Sequence, residues 1–136
     1  MKKRNSTSEF NAHRNTVLLE NFRSAIANQS RIETVKAFQT AADMPAPRFW
    51  VSEQRAAVVI SKMLAGETLP EGTFEKKREM YEELCARVKE MRALEPDRTI
   101  SSLVMEAVNS PAPSSYMSWQ RAQALILEER ARRHGR

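Results

Sequence analysis

One stretch of sixteen residues occurs twice in this chain, and it constrains the fold more than any other feature. Residues 45–60 read PAPRFWVSEQRAAVVI and residues 111–126 read PAPSSYMSWQRAQALI, so the copies lie 66 residues apart with eight identities and no gap. A match of this quality at a fixed offset indicates a duplicated supersecondary unit. Each copy joins a proline-rich corner to the start of a helix, and we therefore expect the same corner twice in the fold.

Helical periodicity surrounds both corners. Apolar residues recur at intervals of three and four in six segments, and no alternating run typical of a strand occurs. The offset of 66 also relates Leu84 to Leu18 and Val88 to Phe22, so the duplication includes the first helix of each copy. We predict an all-α fold of six helices, arranged as two tandem three-helix repeats that are helix-turn-helix-like, each with a Pro-rich corner before its third helix.

The positions of the glycines and of the terminal charges indicate where the repeats begin and end. Residues 65–73, AGETLPEGT, hold two of the three glycines and separate the copies. We predict a first three-helix repeat at residues 13–66 and a second at residues 73–129, sharing one core. A basic flexible arm is predicted for residues 1–12, and a basic tail that frays is predicted for residues 130–136.

The net charge of +5 lies in the two termini. Without the seven terminal cations, residues 5–129 sum to −2, with a mildly basic first half and an acidic second half. We therefore expect any polyanion to prefer the arms and the first half of the chain. The seven terminal cations are Lys2, Lys3, Arg4, Arg130, Arg132, Arg133 and Arg136.

Composition and residue placement exclude several classes of protein. No apolar run is long enough for a bilayer span, residues 1–14 lack the apolar centre of a signal peptide, and Cys85 has no second cysteine to pair with. We expect a cytoplasmic protein with no membrane partner. His13 and His134 lie near the termini, and no metal-ligand spacing or Gly-rich phosphate loop occurs. We predict that the chain is not an enzyme and has no cofactor, no metal site and no evident small-molecule substrate.

The Ser-x-Gln-Arg of each corner is the main candidate site. If Ser52 and Ser118 are N-caps, Arg55 and Arg121 fall at the third helical position, where a positive charge opposes the helix dipole. One interpretation is structural, with each arginine packed on its corner and bonded to loop carbonyls or to an acid of the second helix. The other is an anion site, in which helix N–H groups, the serine hydroxyl and the guanidinium bind a phosphate.

Candidate binding residues come from these corners and from the termini. Trp50 and Tyr116 occupy equivalent places and are interpreted as core residues. Trp119 lies on the side of its helix away from the apolar stripe, so we regard it as a candidate partner-binding residue. The candidates for binding nucleic acid or another anion are Arg48, Ser52, Arg55, Lys62, Ser118, Arg121, Lys2, Lys3, Arg4, Arg132 and Arg133.

The strings PAPRFWVSEQRA, KKREMYEEL and PAPSSYMSWQRA resemble a group of small all-helical proteins encoded by Bacteroidota and their mobile elements. The resemblance covers residues 15–128, and it implies a two-copy architecture and a bacterial cytoplasmic setting without implying an activity. The second copy departs from the group at Ser115 and Trp119, where the corner of the group has Phe-Tyr followed by proline or glutamate.

Two functions remain open at this point. The first is DNA binding, with the third or sixth helix in the major groove and the basic arms on phosphates, although the link of about ten residues before the third helix is longer than in a helix-turn-helix. The second is a protein-protein assembly module, in which the basic first half meets the acidic second half of another copy or another protein. The basic arms favour DNA binding.

Overall fold

The computed structural model describes residues 10–135, and these residues form six α-helices. No strand occurs among them, and the one element of β pairing is an isolated antiparallel bridge between Ala46 and Ala112. The prediction of six helices without strands is confirmed for the described residues. The helices are α1 (Asn11–Ala27), α2 (Thr34–Asp43), α3 (Glu53–Leu64), α4 (Glu75–Leu94), α5 (Ile100–Val108) and α6 (Trp119–His134).

The third helix of each sequence copy begins directly after the serine that was predicted to be its N-cap. The Ser52 hydroxyl accepts a hydrogen bond from the Arg55 N–H at 3.0 Å, and the Ser118 hydroxyl accepts one from the Arg121 N–H at 3.2 Å. Each bond satisfies a backbone donor that has no partner within the helix, and an N-cap of this kind stabilises a helix by about 1 kcal/mol. Ser52 and Ser118 are therefore confirmed as N-caps.

The six helices form two compact units, and each unit takes helices from both sequence copies. The central unit, residues 47–111, packs α3 with α4 and α5, whereas the terminal unit, residues 10–46 and 112–135, packs α6 with α1 and α2. The chain leaves the terminal unit at the Ala46–Pro47 bond and returns to it at the Pro111–Ala112 bond. The compact units are thus divided at the proline corners rather than at the glycine-containing loop between the sequence copies.

The core of the terminal unit is built from one face of each of its three helices. The rings of Phe22 and Phe38 stack with their centroids 4.6 Å apart. Burying each large apolar side chain contributes about 1.5–3 kcal/mol, so the common core holds α1, α2 and α6 together. Side chains that are at most 6% exposed in this core include Leu18, Leu19, Phe22, Ala37, Phe38, Ala41, Ala42, Ala122, Leu125 and Ile126.

The central unit has an apolar core of its own and a polar brace that the sequence did not predict. Arg87 of α4 donates from Nη1 to the Pro111 carbonyl at 2.7 Å and to the Ser110 hydroxyl at 3.1 Å. Its guanidinium also lies 4.9 Å from the centroid of the Phe49 ring. Arg87 thereby ties α4 to both corner-forming ends of this unit. Core residues with 0% exposure are Phe49, Ala56, Ile60, Leu84, Val88, Leu103, Val104 and Val108.

The two corners share one equivalent backbone hydrogen bond, and they differ in the backbone conformation of one residue pair. The Phe49 N–H donates to the Val108 carbonyl at 2.9 Å in the central unit, and the Ser115 N–H donates to the Ala42 carbonyl at 3.0 Å in the terminal unit. The offset of 66 relates both donors and both acceptors. Among the described non-glycine residues Tyr116 is the one with a positive φ, 54°, and the equivalent Trp50 does not share it.

The ordered helices extend further towards both termini than the sequence predicted. Phe10 is buried and α1 begins at Asn11, so the described residues 10–12 belong to the fold rather than to an arm. Helix α6 continues beyond Glu128 to His134. Lys2, Lys3 and Arg4 lie outside the described residues. Within residues 10–135, none of the helices combines the length and the apolar character that crossing a membrane requires.

Candidate anion-binding sites

A cavity of about 190 Å³ lies in the central unit between α3, α4 and the loop that joins them. Three cationic residues line it: Arg55 and Lys62 of α3 and Lys77 of α4. Glu67 of the loop is also in the lining, so the charged residues of the cavity sum to +2. We call this feature the α3–α4 cavity, and it unites two of the predicted anion-binding residues with a third that the sequence analysis did not single out.

Helical spacing explains why these side chains share one cavity. Arg55 and Lys62 are seven residues apart, which is close to two turns, so both lie on the same face of α3. Lys77 and Tyr81 are four residues apart and share a face of α4 in the same way. The loop between the helices contains Gly66 and Gly72 at φ values of 96° and 97°, a region that glycine adopts without steric penalty.

Tyr81 is the side-chain partner of Arg55. Tyr81 is 4% exposed, and it lines the cavity together with Arg55, whose guanidinium acts on the Tyr81 hydroxyl. Burial raises the pKa of Tyr81, and the hydrogen bond and charge of Arg55 partly oppose that rise. The phenol therefore stays protonated at neutral pH and keeps an O–H that can donate to a ligand. The structural interpretation of Arg55 named loop carbonyls and an acid of the second helix, whereas its partner is a phenol of α4.

The equivalent position in the terminal unit has different chemistry. The offset of 66 replaces Arg55 by Arg121, Tyr81 by Asn15, Lys62 by Glu128 and Lys77 by Asn11. Within the part of the chain that the structure describes, the Asn11 Oδ1 atom is buried without a hydrogen-bond partner. The terminal unit therefore retains one of the three cations of the α3–α4 cavity at the equivalent positions.

Arg14 lies beside this equivalent position and is 7% exposed. Its Nε donates to Asn15 Oδ1 at 3.1 Å, and its guanidinium is 5.7 Å from the centroid of the Phe10 ring. Burial lowers the pKa of Arg14, the nearby Arg121 lowers it further, and Glu128 opposes both effects. The terminal unit thus has a buried arginine on α1 that senses the charge of Arg121. The sequence did not indicate it, because Arg14 falls on an otherwise apolar face.

The corner residues Arg48 and Ser52 hold the first corner together. Arg48 donates from Nε to the Phe49 carbonyl at 2.9 Å and from Nη2 to the Val51 carbonyl at 2.7 Å. Ser52 is 2% exposed, and its hydroxyl caps α3. These two predicted anion-binding residues therefore serve the backbone of the corner and do not line the α3–α4 cavity.

Net positive charge is concentrated on the terminal unit. Its described residues include eight Lys or Arg and five Asp or Glu, a net charge of +3, whereas residues 47–111 include ten and eleven, a net charge of −1. We use the term basic face for the set of exposed cations of this unit, which come from α1, α6 and the segment around the start of α2. They are Arg23, Arg31, Lys36, Arg121, Arg130, Arg132 and Arg133.

Two cations of the basic face are bound to one buried carboxylate. Glu129 is 3% exposed, and its Oε2 lies 2.6 Å from Arg132 Nη2 and 2.7 Å from Arg133 Nε. The hydrogen bonds from Arg132 and then Arg133 hold the pKa of Glu129 at about 2, well below its usual value. Arg133 also donates from Nη2 to the Thr16 hydroxyl at 3.2 Å. These contacts order the last turns of α6, which explains why the helix does not fray after Glu128.

A second depression, of about 530 Å³, lies between α1 and α2 in the terminal unit. Arg31, Lys36 and Glu33 contribute its charged groups, and its lining is otherwise mostly polar. All three charged residues are exposed. This depression is larger than the α3–α4 cavity, but it lacks a buried polar group aimed at a ligand.

Trp119 and the single cysteine have packing roles. Trp119 is half-buried and packs against the core of the terminal unit, so it is less accessible than its position opposite the apolar stripe suggested. Cys85 is buried and unbonded to other cysteines. In residues 10–135 no group of three His, Cys, Asp or Glu side chains is arranged to hold a metal ion.

Comparison with known proteins adds no assignment. No family model matches the chain, and neither a curated protein nor a solved structure is similar to it. The resemblance to the Bacteroidota group stays a prediction.

Proposed function

We propose that this protein is a non-enzymatic nucleic-acid-binding protein that contacts phosphates through the basic face of the terminal unit. The observation that carries the proposal is the division of charge, +3 on the described terminal unit against −1 on the central unit. Residues 1–9 and Arg136 adjoin the terminal unit in sequence, and Lys2, Lys3, Arg4 and Arg136 together with Glu9 add a net charge of +3. A cluster of exposed Lys and Arg attracts the phosphate backbone and releases its counterions.

The proposed contact is to the backbone rather than to the bases. The basic face offers separate cations on α1, on α6 and around the start of α2, which suits phosphates spaced along a strand. The proposal does not require Asn, Gln or Arg side chains of any one helix to contact base edges. We therefore expect binding with strong salt dependence and little sequence preference, with duplex DNA as the ligand class.

The architecture is part of the same proposal. We propose an internal duplication of a three-helix, helix-turn-helix-like unit, in which the third helices are exchanged between the copies. The paired hydrogen bonds of Phe49 with Val108 and of Ser115 with Ala42, together with the paired serine caps, support it. Of the two third helices, α6 belongs to the basic unit, so α6 is the better candidate for the DNA-facing helix. A cytoplasmic setting in a bacterial mobile element is proposed on the sequence resemblance alone.

Mobility shift of the full chain with random duplex DNA tests the proposal. We expect a complex at about 50 mM salt that weakens steeply as salt rises. The variant R23E/R130E removes two cations of the basic face, and we expect it to weaken binding at least tenfold and to reduce the salt slope by about two. The variant K89E/R92E on α4 changes the net charge equally and is the matched control, with an expected change below twofold. Absence of a complex at low salt, or equal losses in both variants, would overturn the proposal.

A self-association module is the second candidate, and two exposed side chains favour it. Phe74 and Leu94 flank the two ends of α4 and are 80% and 82% exposed. The 20 residues of α4 separate them by about 30 Å, so each could anchor a different contact. Light scattering over a range of protein concentrations distinguishes this candidate. A rising molar mass that F74S/L94S abolishes would support it, and a monomer at all concentrations would exclude it.

A further inference from the structure

We propose that the α3–α4 cavity binds a small organic anion, consisting of one carboxylate or phosphate group on a short apolar body. This ligand site lies in the central unit and is independent of the nucleic-acid contact proposed for the terminal unit. It also differs from the sequence-based expectation, in which no small-molecule ligand was evident.

The charged group of the ligand is recognised at the Arg55–Tyr81 pair. A guanidinium has five N–H donors in a fixed plane, and Arg55 lines the cavity together with Tyr81. These donors match the two oxygens of a carboxylate or phosphate, and the Tyr81 O–H supplies a further donor. Because the Tyr81 side chain is 4% exposed, the phenol is held in place before the ligand arrives.

The other cations of the cavity strengthen the preference for an anion. Lys62 and Lys77 line the same space from α3 and α4, and Glu67 is the acidic residue of the lining. The resulting charge of +2 disfavours the binding of cationic ligands such as amines. Glu67 also disfavours a ligand with negative groups at both ends, because one of them would meet its carboxylate.

The size and the lining of the cavity define the rest of the ligand. A volume of about 190 Å³ corresponds to roughly six water molecules and is below the 300–1,000 Å³ common for drug-sized ligands. Val59, Met63 and Leu69 line it together with the half-exposed Val58. A short aliphatic or aromatic body fits such a lining, and each methylene it buries raises affinity about fourfold.

The terminal unit shows that the fold does not require this set of charges. Its α6 and α1 preserve the apolar core positions of α3 and α4, yet Asn15, Glu128 and Asn11 replace Tyr81, Lys62 and Lys77. If the cations of the cavity served only helix packing, the equivalent helices would need them as well. The presence of Lys62, Lys77 and Tyr81 in one unit alone favours a ligand over a structural role for these three residues.

Isothermal titration of the full chain with four probes tests the ligand class. Hexanoate and hexyl phosphate carry both the anion and the apolar body, and they distinguish carboxylate from phosphate recognition. Inorganic phosphate has no apolar body, and 1-hexanol has no charge. We expect one of the two organic anions to bind at least tenfold more tightly than both inorganic phosphate and 1-hexanol. No binding of either organic anion at 10 mM, or equal binding of 1-hexanol, would overturn the proposal.

Substitutions locate the binding in the cavity. We expect R55Q to weaken binding of the preferred anion at least tenfold and Y81F to weaken it about fivefold, because each removes donors to the anion. R121Q changes the equivalent arginine of the terminal unit and is the matched control, with no change expected. Lys77 is exposed, so K77Q keeps the test valid if R55Q disturbs folding, with a loss of about threefold expected. A loss in R121Q equal to that in R55Q, or no loss in K77Q and R55Q, would contradict the site.

Discussion

The α3/α4 pair of the central unit and the α6/α1 pair of the terminal unit share apolar positions and differ at polar ones. Ile60 and Leu84 in the first pair match Ile126 and Leu18 in the second, and all four side chains are 0% exposed. In contrast, Lys62 faces solvent in the first pair where the second has Glu128. Apolar positions are constrained by packing, which both units need. Polar positions are free to diverge, so their differences carry information about binding.

The largest effect on stability is expected at the core positions that are equivalent in the two helix pairs. Leu84→Ala and Leu18→Ala each remove a fully buried side chain at equivalent positions. We expect each to lower the free energy of unfolding by about 2–5 kcal/mol, since lost burial and a residual cavity add together. Urea denaturation of both variants measures this. A loss in one variant below half of that in the other would break the equivalence of the two cores.

The next effect compares Arg87 with its counterpart Asn21. Arg87 makes charge-assisted hydrogen bonds to the Pro111 carbonyl and to Glu83, whereas Asn21 donates once, to the Ala41 carbonyl at 3.2 Å. We expect Arg87→Ala to lower the free energy of unfolding by about 2–3 kcal/mol and Asn21→Ala by about 1 kcal/mol. Denaturant titration of the two variants checks the order. The reverse order would show that the corner bonds of Arg87 contribute little.

We expect low pH to destabilise the terminal unit through Glu129. The counterpart of Glu129 in the central unit is the uncharged Met63. The folded-state pKa of about 2 lies below the usual value, so the unfolded state binds the proton more strongly between pH 4.5 and 2. Stability is therefore present above this window and is lost as the pH falls through it. We expect Glu129→Gln to destabilise the protein by about 1.5 kcal/mol at pH 7.

Thermal unfolding of wild type and Glu129→Gln across this pH range measures the effect. The difference between the two melting temperatures should shrink steadily towards pH 2, because the wild-type carboxyl becomes protonated. Met63→Leu is the matched control at the equivalent position, and its offset from wild type should not change over the same range. A difference between wild type and Glu129→Gln that is constant with pH would contradict the assignment.

The smallest effect is expected at the two serine caps. Ser52→Ala should lower the free energy of unfolding by about 1 kcal/mol, because Ser52 is buried and its removal leaves the Arg55 N–H without water. Ser118 is exposed and its bond is longer, 3.2 Å, so Ser118→Ala should cost about 0.5 kcal/mol. Chemical denaturation resolves the pair, and a larger loss at Ser118 would reverse this ranking.

The sequence predicted local features well because they depend on neighbouring residues. Helical spacing identified the six helices, and the Ser-x-Gln-Arg strings identified the two caps. The sequence did not predict that α3 packs with α4 and α5 and that α6 packs with α1 and α2. This arrangement depends on contacts such as that of Ala46 with Ala112, which are 66 residues apart. Periodicity reports which face of a helix is buried but does not name the helix that covers it.

For the same reason, the sequence identified some of the residues that line the α3–α4 cavity and missed others. Arg55 and Lys62 were singled out from the sequence, but Tyr81 and Lys77 lie on another helix, and nothing near Arg55 in sequence points to them. A usable signal did exist. At the offset of 66, Tyr81 aligns with Asn15 and Lys77 aligns with Asn11, and such changes of polar residue at otherwise matched positions mark where the copies diverge.

The packing of α6 against α1 and α2 has a consequence for synthesis on the ribosome. The central unit is one continuous segment, residues 47–111, so all of its helices are available once Pro111 has left the exit tunnel. Helices α1 and α2 are translated before the central unit, yet they lack their packing partner until α6 is translated. A nascent chain therefore carries the Phe22 and Phe38 surface uncovered until α6 emerges, and a premature stop before residue 119 would leave that surface exposed permanently.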